Sequence, residues 1–140
     1  MIKKGVMLHN LAHLNLPILI FLLVVYLKPT INLLLAIPAI IIGSYLPDID
    51  HYNIWKKVKF ESRKNFLKYL LTSDRYRKAF LVFHNFLTLL ILVVALPIVN
   101  IYNIYVGIFL LSFIAHLILD FLTDKLLIKQ HGHWKLKSWI

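Results

Sequence analysis

Long apolar stretches recur along this chain, each with histidines or acids near only one end. The first runs from about Met7 to Leu27 and carries His9 and His13 close to its start. The second runs from about Ile31 to Leu46, inside a Pro29–Pro47 segment without any charged side chain. The third covers about residues 79–99 and the fourth about residues 104–122. A helix needs about 20 mostly apolar residues to cross a bilayer, and a helix satisfies its own backbone bonds there. The pattern therefore predicts four membrane-spanning helices. Pro38 is expected to kink the second, and Pro97 sits near the end of the third. Lys28-Pro29-Thr30 forms one short turn and Asn100 to Asn103 another.

The stretch from about His51 to Lys78 has a different texture. Trp55, Phe60, Phe66, Leu67, Tyr69, Leu70 and Leu71 interleave with lysine and arginine. That mixture suits a helix or helical hairpin lying in the headgroup region. The expected fold is all-α: an integral membrane four-helix bundle, with an interfacial basic helical loop (about 51–78) between helices 2 and 3. Residues 1–140 form a single membrane domain on this reading.

Composition sharpens the picture. The chain is 60% hydrophobic with mean hydropathy +0.76, above an ordinary soluble domain. It contains no cysteine, which excludes disulfides, thiolate ligands and a thiol nucleophile. Lys3 and Lys4 precede the first apolar run in the manner of a signal peptide. No small-x-small cleavage pattern follows, so the segment is expected to be retained.

The net charge is +10. In a soluble protein this would suggest nucleic acid, but in a membrane protein the placement of the charge matters more. With four spans, the N-terminal tail, the central loop and the C-terminal tail share one side. Those three regions hold 15 of the 16 basic residues, leaving only Lys28 opposite. The expectation is a multi-pass protein of the plasma membrane with both termini cytoplasmic. The basic loop is expected to meet anionic lipid headgroups, with no nucleic-acid partner.

The scarce acids and the histidines are then distributed in a telling way. His9 and His13 lie four apart at the start of the first helix, on one face. Asp48, Asp50 and His51 close the second, just after Pro47. His84 lies near the start of the third. His116 and Asp120 lie four apart toward the end of the fourth. Helices one and three run opposite to two and four, so all these groups fall at one depth. Each has a plain explanation alone: His51 as a hydrogen-bonded interfacial residue, Asp48 as a turn residue after proline. Asp124, His131 and His133 read as solvated end groups.

The coincidence of depth across four helices is what the plain explanations leave out. Ionisable groups in a span are costly, about 2.5–3.5 kcal/mol for Asp at a helix centre, unless paired, hydrated or metal-bound. His9 or His13 with Asp48, Asp50, His84, His116 and Asp120 is a ligand set for a divalent cation. Mixed imidazole and carboxylate donors suit Zn best, with Mn or Fe as alternatives, rather than Mg or Ca. The surplus of donors leaves room for one or two ions.

LPDIDH at 46–51, His84 near the start of the third helix and AHLILDFLTD at 115–124 give a fuller pattern. In this order the motifs resemble the YdjM-type family of membrane-bound, metal-dependent hydrolases, several of whose bacterial members are described as LexA-regulated. The resemblance implies roles for Asp48, Asp50, His51, His84, His116 and Asp120, with His9 or His13 matching the family's N-terminal histidine. Ala79 and Phe80 stand where family members often carry a further His and an Arg.

The reading that follows is hydrolysis of an ester or phosphoester, in a lipid or lipid-linked substrate, at the cytoplasmic face. Asp48, Asp50, His84, His116 and Asp120 would be ligands, completed by His9 or His13. His51 or Asp50 would serve as general base or orienting group. Ser44 and Ser112 lie near the cluster but lack a nucleophile-elbow context. One alternative is a metal-binding membrane protein without catalysis. Another is a membrane-anchored protein that binds lipid or a partner through the basic loop, which leaves the acid and histidine cluster unexplained.

Overall fold

The structure is a computed structural model, and it describes residues 4–51, 82–123 and 125–126. Four α-helices account for most of these: α1 Lys4–Leu27, α2 Leu33–Tyr45, α3 Phe86–Tyr102 and α4 Ile104–Thr123. A 3-10 turn, Leu46–His51, extends α2. Among the described residues there is no strand, and the fold is an all-α bundle as expected. The basic loop between α2 and α3 falls on residues 52–81, outside the described residues.

Asparagines start three of the helices. Asn32 Oδ1 accepts from Leu34 N at 3.0 Å, and Asn85 Oδ1 accepts from Thr88 N at 2.8 Å. Asn103 Oδ1 accepts from Tyr105 N at 2.9 Å, while its own N–H closes α3 on Val99 O at 2.9 Å. A short polar side chain that satisfies the orphan amides of a first turn is what an N-cap requires. Asn103 thus ends one helix and begins the next without a linker.

The third helix starts later than its hydropathy suggests. The apolar run places its beginning near residue 79, yet residues 82–85 are bends and the helix begins at Phe86. The cap explains the difference, because Asn85 takes an extended conformation that a helix interior does not allow. The second helix runs through Pro38 without a break and gives way to the 3-10 turn beside Pro47.

α4 is the centre of the bundle. Gly107, Ile108, Ser112, Phe113, Ile114, His116, Leu117, Asp120 and Thr123 are buried along it, whereas α3 buries no residue fully. One apolar core joins Leu16, Ile20 and Val24 of α1 to Ala36 and Ile40 of α2 and Ile108 of α4. A second gathers around Phe113 and Leu117, with Phe83, Leu89, Leu92 and Phe109 against it. α2 packs tightly on α4 at Gly43. A Cβ there would run into the Phe109 carbonyl oxygen and sit 2.8 Å from Ser112 Cβ. Small residues at such crossings let apolar helices associate through backbone proximity.

The outside is covered with leucine, isoleucine, valine and tyrosine, including Leu14, Leu19, Tyr26, Leu34, Ile91 and Val94. Leu8–Leu27, Leu33–Asp50 and Ile104–Thr123 are long and apolar enough to cross a membrane; Phe86–Tyr102 is shorter. A large apolar exterior over such segments fits hydrocarbon, not water.

Candidate metal centre

The histidines and carboxylates of the bundle collect at one end, where α1 and α3 begin and α2 and α4 finish. α4 contributes His116 and Asp120, one turn apart on its buried face. α1 contributes His9 and His13 by the same spacing. The 3-10 turn after α2 brings Asp48 and Asp50.

His84 arrives differently, on the non-helical segment before α3. That segment is stitched in place. Asn85 N donates to Phe83 O at 2.8 Å, and Thr88 Oγ1 donates to Val82 O at 2.8 Å. The Asn85 amide donates to the same Val82 carbonyl. Phe83 packs edge-on against Phe113 of α4 at 5.4 Å between ring centres. Four apolar and polar contacts therefore fix one imidazole.

Asp120 is the hub. Its Oδ2 lies 2.7 Å from His84 Nε2 and 3.0 Å from His116 Nε2. Its Oδ1 lies 2.7 Å from His13 Nε2 and 3.7 Å from His9 Nε2. Asp48 Oδ1 closes the first side, 3.4 Å from His116 Nε2 and 4.0 Å from His84 Nε2. Two groups result, each with donor atoms within 4.8 Å of one another: Asp48, His84, His116 and Asp120, and His9, His13 and Asp120. The sequence left His9 and His13 as alternatives; the structure brings both to Asp120.

The donors fit a cation. His13 Nε2, His116 Nε2 and Asp120 Oδ2 are buried and make no hydrogen bond of acceptable geometry, although their separations are short. Lone pairs that converge without bonding one another are expensive to bury. A divalent ion among them removes that cost, and imidazole with carboxylate is a suitable donor set for Zn, Mn or Fe.

The outer contacts hold the rings in the matching tautomer. His84 Nδ1 lies 3.1 Å from both oxygens of Asp50, and Asp50 Oδ2 also accepts from Phe83 N at 3.0 Å. With Nδ1–H donated to that carboxylate, Nε2 is the nitrogen left for the cluster. Asp50 was expected as a ligand and as a catalytic group. It stands in neither of the two groups, because its oxygens are taken up behind His84.

Thr123 does the same for His9, and its part was not read from the sequence. Its hydroxyl donates to Leu119 O at 2.8 Å, so at 2.6 Å it accepts from His9 Nδ1–H. The signal available was the Thr three residues after Asp120, a spacing that returns to the same helix face. The side chain of His51 and residue Asp124 lie outside the described residues.

Charge reinforces the arrangement. Burial pushes His84 toward the neutral form, but Asp120 and Asp50 outweigh it and raise its pKa from 6.5 to about 10. In the metal-free protein a proton on Nε2 stands where a cation would otherwise balance Asp120. Asp48 is the open flank of the cluster, with its side chain 42% exposed, while His116 is wholly buried.

The family model of the YdjM inner membrane protein matches residues 7–126, nearly the whole chain. The chain belongs to the YdjM inner membrane protein family. The match spans every residue of both donor groups, from His9 to Asp120, together with Thr123. As a YdjM member with three helices of spanning length and composition, it is a membrane protein. No curated protein and no solved structure matches the chain at a significant level.

Proposed function

We propose that this YdjM protein is a metal-dependent hydrolase. It crosses the plasma membrane four times and acts on an ester or phosphoester of a lipid or lipid-linked substrate at the cytoplasmic face. The observation that carries the reading is the convergence of His13, His84 and His116 on the buried carboxylate of Asp120, with Asp48 alongside. Orientation rests on the 15 basic residues that share the cluster's side under this topology.

A bound transition metal supplies Lewis-acid polarisation of a phosphoryl oxygen and an acidified water. Asp48, His84, His116 and Asp120 would hold it, with His9 and His13 extending the donor set. Asp50 orients His84, and Thr123 orients His9. Asp48, on the exposed flank, lines the approach by which a headgroup reaches the cluster. Zn is the first choice of ion, Mn or Fe the next. The basic loop gathers anionic headgroups close by.

The test is phosphate release from phospholipid–detergent mixed micelles by the purified, Zn- or Mn-loaded protein. The His116→Ala variant serves as the control. Turnover by the wild type alone supports the reading. Stoichiometric metal with no turnover on any phosphoester or carboxylester lipid refutes catalysis and leaves a metal-binding membrane protein. That second reading has its own support: Ala79 and Phe80 replace the His and Arg that family members often carry, and Arg is a natural phosphate clamp.

A further inference from the structure

The two donor groups share one residue, and they share it in a specific way. Asp120 turns Oδ2 toward His84 and His116 and Oδ1 toward His13 and His9. A carboxylate presented with one oxygen to each of two donor sets is a bridging ligand. The rings of His13 and His116, one from each set, are 4.5 Å apart at their centres, so the sets are contiguous. Hydrolytic two-metal centres hold their ions about 3.5–4 Å apart, a separation that a single bridging carboxylate spans.

We infer that the chain binds two divalent transition-metal ions bridged by Asp120, and that the two positions are unequal. The inference rests on the metal-centre reading above and assigns its stoichiometry and hierarchy. Asp48, His84, His116 and Asp120 give four protein donors, which is a complete tetrahedral shell and the mark of a tightly held ion. His9, His13 and Asp120 give three, which leaves a position for water or a substrate oxygen. Both positions have an open edge: the His9 and His13 side chains are 22% and 12% exposed, and Asp48 of the four-donor set is 42% exposed, while His84 and His116 are 3% and 0%. By donor count the ion on the α1 side is therefore the exchangeable one. The ion on the α4 side is the anchored one.

Metal content decides this without any substrate. The full chain is purified in detergent, equilibrated with Zn²⁺, passed through a desalting column and analysed by mass spectrometry. About two equivalents are expected for the wild type and about one for the His9→Gln, His13→Gln double variant. Mn²⁺ titration followed by electron paramagnetic resonance needs no variant. The first equivalent should give an isolated-ion spectrum, and the second should convert it to a spin-coupled one. A single equivalent in both proteins, with no coupled spectrum, overturns the bridged pair but keeps a metal centre. Two equivalents in both proteins removes the α1 histidines from the site and overturns the assignment. No bound metal in the wild type defeats the metal-centre reading itself.

Discussion

Gly43 touches no ligand of the centre, yet its substitution should loosen the site. In Gly43→Ala the new Cβ meets the Phe109 carbonyl oxygen and lies 2.8 Å from Ser112 Cβ, 0.6 Å short of the 3.4 Å at which ordinary contacts begin. Phe109 O is backbone in the middle of α4, so it cannot swing aside. Relief must come from moving α2 away from α4 by some tenths of an ångström. α2 leads directly into the turn that carries Asp48 and Asp50, and α4 carries His116 and Asp120. Metal–ligand distances tolerate about 0.2 Å, less than the shift required. Overpacking strain of this kind costs about 1–3 kcal/mol, and each 1.4 kcal/mol is tenfold in affinity.

The expected result is a rise of about tenfold or more in the Kd for the first Zn²⁺, read by chelator competition in detergent. Gly107→Ala is the control. Its Cβ would meet the side chain of Asn100, 3.0 Å from both Cβ and Cγ, and that amide lies at the exposed, opposite end of the bundle. The amide can rotate away, and the remaining 3.0 Å contact with Asn100 Cβ lies at the end of the bundle remote from the donors, so Gly107→Ala should leave the Kd within about twofold. Equal Zn²⁺ affinity in wild type and Gly43→Ala, with both proteins folded, would falsify the coupling between the helix crossing and the site.

Three further outcomes are expected. Asp50→Asn removes the carboxylate behind His84 at nearly constant volume and should weaken the first ion by about 10–100-fold in the same chelator assay. Thr123→Val removes the acceptor for His9 Nδ1–H and should weaken the second ion while leaving the first unchanged, read by Mn²⁺ titration. The third concerns pH. His84, raised to about 10 by Asp120 and Asp50, keeps its proton near neutrality in the metal-free protein, and a metal must displace it. Apparent Zn²⁺ affinity should rise about tenfold per pH unit for each proton displaced. Conversely, this group's contribution to the stability of the metal-free fold is complete below its unfolded pKa of 6.5 and is lost as pH climbs through about 10. The melting temperature of chelator-treated protein should therefore fall across that window, and a flat profile would contradict the His84 environment.

Much of this was legible in the sequence because hydrocarbon imposes long apolar runs and penalises buried charge. The helices of the bundle follow from the first constraint. The gathering of His9, His13, Asp48, His84, His116 and Asp120 at one end follows from the second. What escaped depended on orientation rather than position. The start of α3 was masked by Val82 and Phe83, which carry the hydropathy forward past the Asn85 cap. Asp50 and Asp48 are two residues apart, but the 3-10 turn sends one behind His84 and the other to the open flank. No periodicity argument separates them. Thr123 is an unremarkable helix residue until its hydroxyl is seen to be committed to Leu119, which fixes the direction of its bond with His9.

Asp120 belongs to both donor groups and lies on the last helix of the bundle. A nascent chain that has emerged only as far as α3 already carries His9, His13, Asp48 and His84, but it has no position for either ion. Metal capture must wait for α4, and α4 is also the helix against which the others pack. The free energy of metal binding therefore accrues only to the finished bundle and not to any shorter intermediate. With the proposed ions bound, the centre would act as a completion check during biogenesis: a chain truncated before α4 lacks His116 and Asp120 and would stay unmetalled.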